Sequence, residues 1–296
     1  MPRKSKGLSE FRRPTFNCQI GGVQFRLGLE TKLMGVLNVT PDSFSDGGRY
    51  LSPDRAVTRA LELEREGAHL IDIGGESSRP GARPVSAKQE IKRILPVLKR
   101  LSKRIRIPLS VDTCKYEVAW AALDQGVVLV NDIRELHGDK RLAKLVARYG
   151  AGVVLMHMQG APRTMQERPR YRNLLRDISN YLENAVGVAL EAGIARQSIV
   201  LDPGFGFGKT LAQNVEILSR MDYFSKMKLP ILAGLSRKSF LGSLSGAPVS
   251  DRLYGSLAAA AVAIGRGAHI LRVHDVLAHR QLALVVDQTL SEGSVT

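Results

Sequence analysis

The chain has 296 residues, 44% of them hydrophobic and 24% charged, with 43 Lys+Arg against 28 Asp+Glu and a formal net charge of +15. That apolar content can offset the entropy of ordering, which excludes wholesale disorder; two cysteines, Cys18 and Cys114, exclude a disulfide scaffold and read as reduced thiols of a cytoplasmic protein. No run approaches the ~18 consecutive apolar residues of a membrane span, and the basic start has no apolar stretch behind it, so neither a membrane partner nor a secretory signal is expected.

Residues 1–15 read as a basic, flexible tail, and residues 16–30 as a β-hairpin, because Gly21-Gly22 separates two short alternating runs. Beyond them a rhythm extends over residues 31–292. Short β-branched runs at 33–39, 69–73, 109–112, 127–133, 152–158, 199–202, 231–236 and 270–274 alternate with helical patterns. Ser52 and Pro53 suit an N-cap and first turn. Ser86 and Gln89 have the spacing of a capping box opening a helix that runs to about Arg104. Trp120 and the Ala-rich stretch 257–264 read as helix packing. The longest break, 159–172, reads as an Arg-rich loop or an added helical turn. Eight near-continuous apolar strands alternating with about eight helices, without a linker, predict a single-domain α/β fold, the (β/α)8 or TIM barrel, with the hairpin in front of it. The competing doubly wound sheet usually carries a Gly-rich first turn, which is absent here.

A barrel of this kind keeps its chemistry at the C-terminal ends of its strands. There the sequence carries Asn38, Asp72, Asp112, Asn131, Met156, Asp202, Lys238, Arg272 and His274. Arg79, Lys238, Arg272 and His274 supply cationic donors suited to a phosphate, and Asn38 with nearby carboxylates could offer oxygens to Mg²⁺. Asp112, Asn131, Asp202 and Lys238 offer both acceptors and donors, as a flat heterocycle with N–H groups and ring nitrogens demands. These residues by themselves point to transfer or cleavage of a phosphorylated small molecule that carries a polar ring. The Gly-rich segment 202–209 lacks the Walker spacing of a nucleotide loop. No His/Cys spacing suggests zinc. His69, His137, His269 and His279 read as structural or surface residues, and the sequence leaves His157 undecided.

The run Met34-Gly35-Val36-Leu37-Asn38-Val39-Thr40-Pro41-Asp42-Ser43-Phe44-Ser45-Asp46-Gly47-Gly48 resembles the first signature of the dihydropteroate synthase family. Ile71-Asp72-Ile73-Gly74-Gly75-Glu76-Ser77-Ser78-Arg79-Pro80-Gly81 resembles the second. Val111-Asp112-Thr113, Asn131-Asp132-Ile133, Met156-His157-Met158, Asp202-Pro203-Gly204, Ser236-Arg237-Lys238-Ser239 and Arg272-Val273-His274-Asp275 follow in the family's order. Ser78 stands where the family often has Thr, and Cys114 where Ser is common.

The resemblance implies a (β/α)8 barrel, condensation of a dihydropterin pyrophosphate with p-aminobenzoate, competition of sulfonamides with p-aminobenzoate, and a homodimer. It assigns the pterin to Asp112, Asn131, Met156, Asp202, Lys238 and Arg272, and the pyrophosphate to Asn38, Ser78, Arg272 and His274. Asn38 would also hold Mg²⁺. Phe44, Arg79, Pro80, Phe207, Lys238 and Ser239 would form the p-aminobenzoate pocket, and Asp112, Lys238 and Asn38 would carry the catalysis. A methyltransferase relative or an inactive paralogue would keep the pterin contacts without this full set.

The basic excess is regional: residues 1–13 carry +4, residues 79–106 carry +9, residues 160–176 carry +4, and the remainder −2. It reads as solvated surface, with Arg79 and Arg83 available to an anionic substrate. With 5% aromatics and no recognisable module, a nucleic-acid partner is not expected.

Overall fold

The computed structural model describes residues 13–40, 52–77, 82–134, 136, 139–160, 164–167 and 169–292. Strands β1 (Phe16–Ile20) and β2 (Val23–Leu27) form the expected hairpin. Gly21 and Gly22 both have positive φ, 53° and 83°, the pair of values a two-residue turn of this hand requires.

Eight parallel strands follow: β3 (Lys32–Asn38), β4 (Leu70–Gly74), β5 (Leu109–Asp112), β6 (Leu129–Asp132), β7 (Gly152–Met156), β8 (Ile199–Asp202), β9 (Leu232–Ala233) and β10 (Ile270–Val273). They pair in the order β8-β7-β6-β5-β4-β3-β10-β9. A parallel bridge between Leu201 and Ile231, with Leu201 N donating to Pro230 O at 2.9 Å, joins the two ends. With helices in the connections, this is the (β/α)8 barrel. Those helices are α1 (Pro53–Glu66), α2 (Ala87–Leu101), α3 (Tyr116–Leu123), α4 (Lys140–Arg148), α5 (Leu174–Glu191), α6 (Leu211–Ser219), α7 (Ser239–Ser245), α8 (Leu253–Gly265) and α9 (Val276–Glu292). Ser52 caps α1 and Ser86 with Gln89 closes a capping box on α2, as their spacing predicts.

Several elements are shorter than the apolar runs suggest. The strand expected over 231–236 is the two-residue β9, those at 127–133 and 152–158 stop at Asp132 and Met156, and α2 ends at Leu101 instead of Arg104. At the end of β6 a polar group breaks the ladder: the Asp132 carboxylate takes the N–H groups of Arg134 and Leu136 at 2.8 and 2.7 Å and folds the chain out of the strand. Trp120, expected in helix packing, lies on the outer face of α3 and is 53% exposed.

The two-residue period of the strands sorts their side chains. Leu33, Leu37, Ile71, Ile73, Val111, Val153, Leu155, Leu201, Leu271 and Val273 point outward into one core shared with the helices. Met34, Leu70, Leu129, Val154, Val200, Leu232 and Ile270 point inward, where Cys18, Ile20 and Leu27 of the hairpin join them. The hairpin therefore plugs the N-terminal end of the barrel. Arg13 ties the chain entering it to the barrel wall, donating to Ala268 O and Thr31 Oγ1 at 2.8 Å each and pairing with Asp287 at 2.9 Å. Ile20 is 2% exposed. Ile20→Ala is expected to cost about 3 kcal/mol of stability in urea unfolding, with kcat unchanged, because the plug sits at the end opposite the strand C-termini.

Candidate active site

Above the apolar plug the inward positions turn polar. Asp72, between Ile71 and Ile73, is fully buried and lies level with Ser110 on β5 and Val36 on β3. Its carboxylate accepts from Ser110 Oγ at 2.7 Å, Asn131 Nδ2 at 2.9 Å and Arg272 Nε at 2.7 Å. Arg272 Nη2 donates to Asp112 Oδ2 at 2.7 Å, so one guanidinium bridges two carboxylates drawn from β4 and β5. The β4–β5 register sets Gly74 beside Asp112, and the β3–β4 register sets Asn38 beside Gly74. Asn38 Oδ1 and Asp112 Cβ each lie 3.5 Å from the point that a side chain at Gly74 would occupy. A residue without a side chain there lets the two approach one another across β4.

Burial governs the protonation of this group. It pushes the Asp112 carboxyl up to about 7; Arg272 opposes the shift, while the charges of Asp72 and Glu90 add to it. Burial also raises Asp202, against the Gly204 N–H that reaches its Oδ1 at 2.7 Å and the charge of Lys238. Lys238 falls to about 8 through burial, with Asp202 opposing and Arg272 assisting. Burial works against the charge on Arg272, but Asp72 and Asp112 outweigh it and keep the guanidinium protonated.

Lys238 is aimed by a strained turn. Arg237 before it has φ of +60°, uncommon for a residue with a side chain. The turn is held from three sides: Arg237 N donates to Ser256 Oγ at 2.9 Å, its guanidinium binds Asp275 at 2.5 Å, and its carbonyl accepts from Arg252 at 3.3 Å. Lys238 Nζ comes to rest 4.1 Å over the Phe207 ring. On the other side of the turn, Ser236 Oγ meets His274 Nδ1 at 3.0 Å. Met156 and Phe207 share an apolar cluster with Met158 and Met165.

Of the residues singled out in the sequence, Asn38, Asp112, Asn131, Met156, Asp202, Lys238, Arg272 and His274 thus lie at strand C-termini or in the turns just past them. Phe207 sits in the loop after β8, and Ser239 is the exposed first residue of α7. Phe44, Ser78, Arg79 and Pro80 lie outside the described residues, as does His137. His69 and His269 are structural: their Nδ1 atoms accept from Leu33 N and Ile231 N, both at 3.1 Å. His157, undecided in the sequence, is buried.

For two polar clusters the sequence reading assigns no specific contact, although it places Asp72 at a strand end. Asp72 with Ser110 anchors Arg272 from below; its signal was an acid in the middle of an apolar strand. Lys115 Nζ bridges Glu76 at 2.6 Å and the buried Glu90 at 2.5 Å, while Glu76 accepts from Val85 N at 2.9 Å, which links β4, α2 and the chain after β5. Among the described residues no group of three or more His, Cys, Asp or Glu side chains could hold a metal ion, and no helix is long and apolar enough to cross a membrane.

Residues 34–274 match the pterin binding enzyme family. The chain is 46% identical over 259 residues to the dihydropteroate synthase of Escherichia coli K12, covering 88% of this chain and 92% of that protein. It belongs to the dihydropteroate synthase family. The Bacillus subtilis dihydropteroate synthase is 41% identical over 268 residues, with 90% and 91% covered. Solved structures agree. A Yersinia pestis dihydropteroate synthase in complex with a sulfonamide drug is 42% identical, with a TM-score of 0.87 over 94% of this chain and 100% of that one. The Xanthomonas albilineans enzyme with 4-aminobenzoic acid is 41% identical, with a TM-score of 0.86 over 94% and 99%. This chain is accordingly an enzyme of the transferase class.

Proposed function

We propose that this chain condenses 6-hydroxymethyl-7,8-dihydropterin pyrophosphate with p-aminobenzoate, giving 7,8-dihydropteroate and pyrophosphate in folate biosynthesis, and that sulfonamides compete for its p-aminobenzoate site. The observation that carries this reading is the polar layer at the barrel mouth, where Asp72, Asp112 and Asp202 face Arg272 and Lys238. Three carboxylates against two cations favour a ligand that becomes positive as it reacts. Loss of pyrophosphate from a hydroxymethyl-dihydropterin does this: the C–O bond breaks, its electron pair leaves with the pyrophosphate, and a dihydropterin cation remains. The amine of p-aminobenzoate then attacks that carbon and loses a proton.

In this scheme Asp112, Asn131, Asp202 and Lys238 hydrogen-bond the pterin edge, with Met156 on one face of the ring and the Arg272 guanidinium stacked on the other. Arg272, His274 and Ser78 bind the pyrophosphate oxygens. Phe44, Arg79, Pro80, Phe207, Lys238 and Ser239 surround p-aminobenzoate and keep water from the cation. The donor set suits Mg²⁺ entering with the pyrophosphate, because that ion keeps several waters and takes substrate phosphates with one or two protein oxygens. Asn38 Oδ1 is such an oxygen. Bound there, the ion would neutralise charge developing on the leaving group.

The barrel over 31–292 would be the catalytic unit, with residues 1–15 as a tail anchored at its end by Arg13 and 16–30 as the hairpin. A cytoplasmic homodimer completes the proposal, supported by side chains left bare on the later helices, Tyr254 at 82% and Val285 at 67% exposed.

Pyrophosphate release by the purified protein is expected to require p-aminobenzoate and to stop when the divalent cation is chelated. A sulfonamide is expected to raise the KM for p-aminobenzoate without changing kcat. Absence of p-aminobenzoate-dependent turnover with Mg²⁺ present would sink the reading.

A further inference from the structure

The Gly-rich connection from β8 to α6 follows a path that only glycine permits. Gly204, Gly206 and Gly208 have φ of 72°, 78° and 63°. A side chain on Gly204 would lie 1.9 Å from His157 O, and one on Gly208 2.4 Å from Gln159 O. The loop is pressed backbone to backbone against the chain leaving β7. That contact turns the carbonyls of Gly204, Phe207 and His157 toward one point, an arrangement that is repulsive unless a cation occupies it.

The occupant comes from the loop itself. Lys209 is 2% exposed, and its Nζ donates to Gly204 O at 2.8 Å, Phe207 O at 2.9 Å and His157 O at 3.3 Å. It also meets His157 Nδ1 at 3.0 Å. An ammonium at that distance requires an imidazole with its lone pair on Nδ1 and its proton on Nε2. Burial, and then the charge of Lys209, press His157 down to about 2, so the ring is neutral throughout the working range. Tyr181 packs edge-on against the ring at 4.6 Å, and Tyr171, 5.9 Å from it, donates to Gly208 O at 2.8 Å. Asn214 adds a further hold, accepting from Gly206 N at 2.7 Å.

What this seat fixes lies on the site side of the loop. Phe207 supplies the ring beneath Lys238, a side chain on Gly206 would lie 3.3 Å from Lys238 Cδ and crowd it, and Gly204 N holds Asp202. We infer that Lys209 is a positioning residue: its ammonium, on converging carbonyls and a neutral His157, takes the place of a structural cation and sets Phe207 under Lys238 for p-aminobenzoate. The substrate named here rests on the function proposed above.

Lys209→Met keeps the length of the side chain and removes the charge. The expected result is a KM for p-aminobenzoate raised about tenfold or more, with a smaller rise in the KM for the pterin pyrophosphate through Asp202 and Lys238, since a loop displaced by an ångström costs up to about a hundredfold at the groups it carries. Amide exchange at 204–208 should quicken in the same variant while that of β5 stays as before. In the unmutated protein, ¹⁵N shifts of His157 should report the Nε2–H tautomer without change from about pH 5 to about pH 9, across the range in which an ordinary histidine titrates. Unchanged p-aminobenzoate KM and loop exchange in Lys209→Met would overturn the inference. So would protonation of His157 at or above about pH 5, which decides the matter even if the variant does not fold. The imidazole and exchange measurements need no substrate, so they separate a failure of this assignment from a failure of the proposed reaction.

Discussion

Asp112→Asn is expected to lower kcat by about 10²–10³-fold, the range for removing one group aimed at charge that develops in the reaction, while the protein stays folded. Asn has the same shape and keeps an oxygen for Arg272 Nη2, so the geometry that holds the guanidinium at 2.7 Å can persist. What changes is the charge balance. With Asp112 neutral, Asp72 and Asp202 face Arg272 and Lys238 evenly, and a cationic pterin gains nothing from the site. Stability should move the other way. The carboxyl of Asp112 is raised from 3.8 to about 7 in the folded chain. A raised acid favours the fold below its unfolded value, and that contribution is lost as pH rises through about 7. At pH values above that, the native carboxylate is a buried charge held against its preference, so Asp112→Asn should unfold at a higher temperature than the unmutated protein. A kcat within tenfold of the unmutated value would remove the electrostatic role given to Asp112.

The contrast between what could and could not be read from the residues follows from where the signals lie. Period-two strands, Ser52, the Ser86–Gln89 box and Gly21-Gly22 are local signals, so the barrel and its hairpin were legible. So were Asn38, Asp112, Asp202, Lys238 and Arg272, because a barrel gathers the ends of its strands on one face whatever its loops do. The partners of those residues were not. Asp72 reads as one more strand-end acid until the register sets it a layer deeper, beside Ser110 and under Arg272. Lys209 reads as the close of a Gly-rich run, and only the packing of two loop backbones turns its ammonium inward to His157. The short strand β9 has a similar cause: an apolar run signals burial, but the turn at Arg237 takes its end out of the ladder. Long-range hydrogen bonds between chain segments far apart in sequence leave no spacing to read.

Lys238→Met separates the other half of the site. Burial lowers Lys238 from 10.5 to about 8, and Asp112 titrates at about 7. If the reaction needs the carboxylate and the ammonium together, kcat/KM against pH is a narrow bell with its maximum between those two values. Lys238→Met should lower kcat/KM by about a hundredfold and erase the alkaline limb, leaving the acid limb in place. Asp112→Asn should erase the acid limb and leave the alkaline one. The stability linkage of a lowered lysine runs opposite to that of a raised acid. Its contribution is present above the unfolded value of 10.5 and is lost as pH falls through about 8. At neutral pH the half-buried ammonium therefore weighs against the fold, and Lys238→Met should raise the unfolding temperature there, by an amount that shrinks as pH climbs past about 8. Stability gained where activity is lost, for a carboxylate and for an ammonium in the same pocket, is the signature of charges kept for chemistry at the expense of the fold. An alkaline limb that survives in Lys238→Met would assign that titration to some other group.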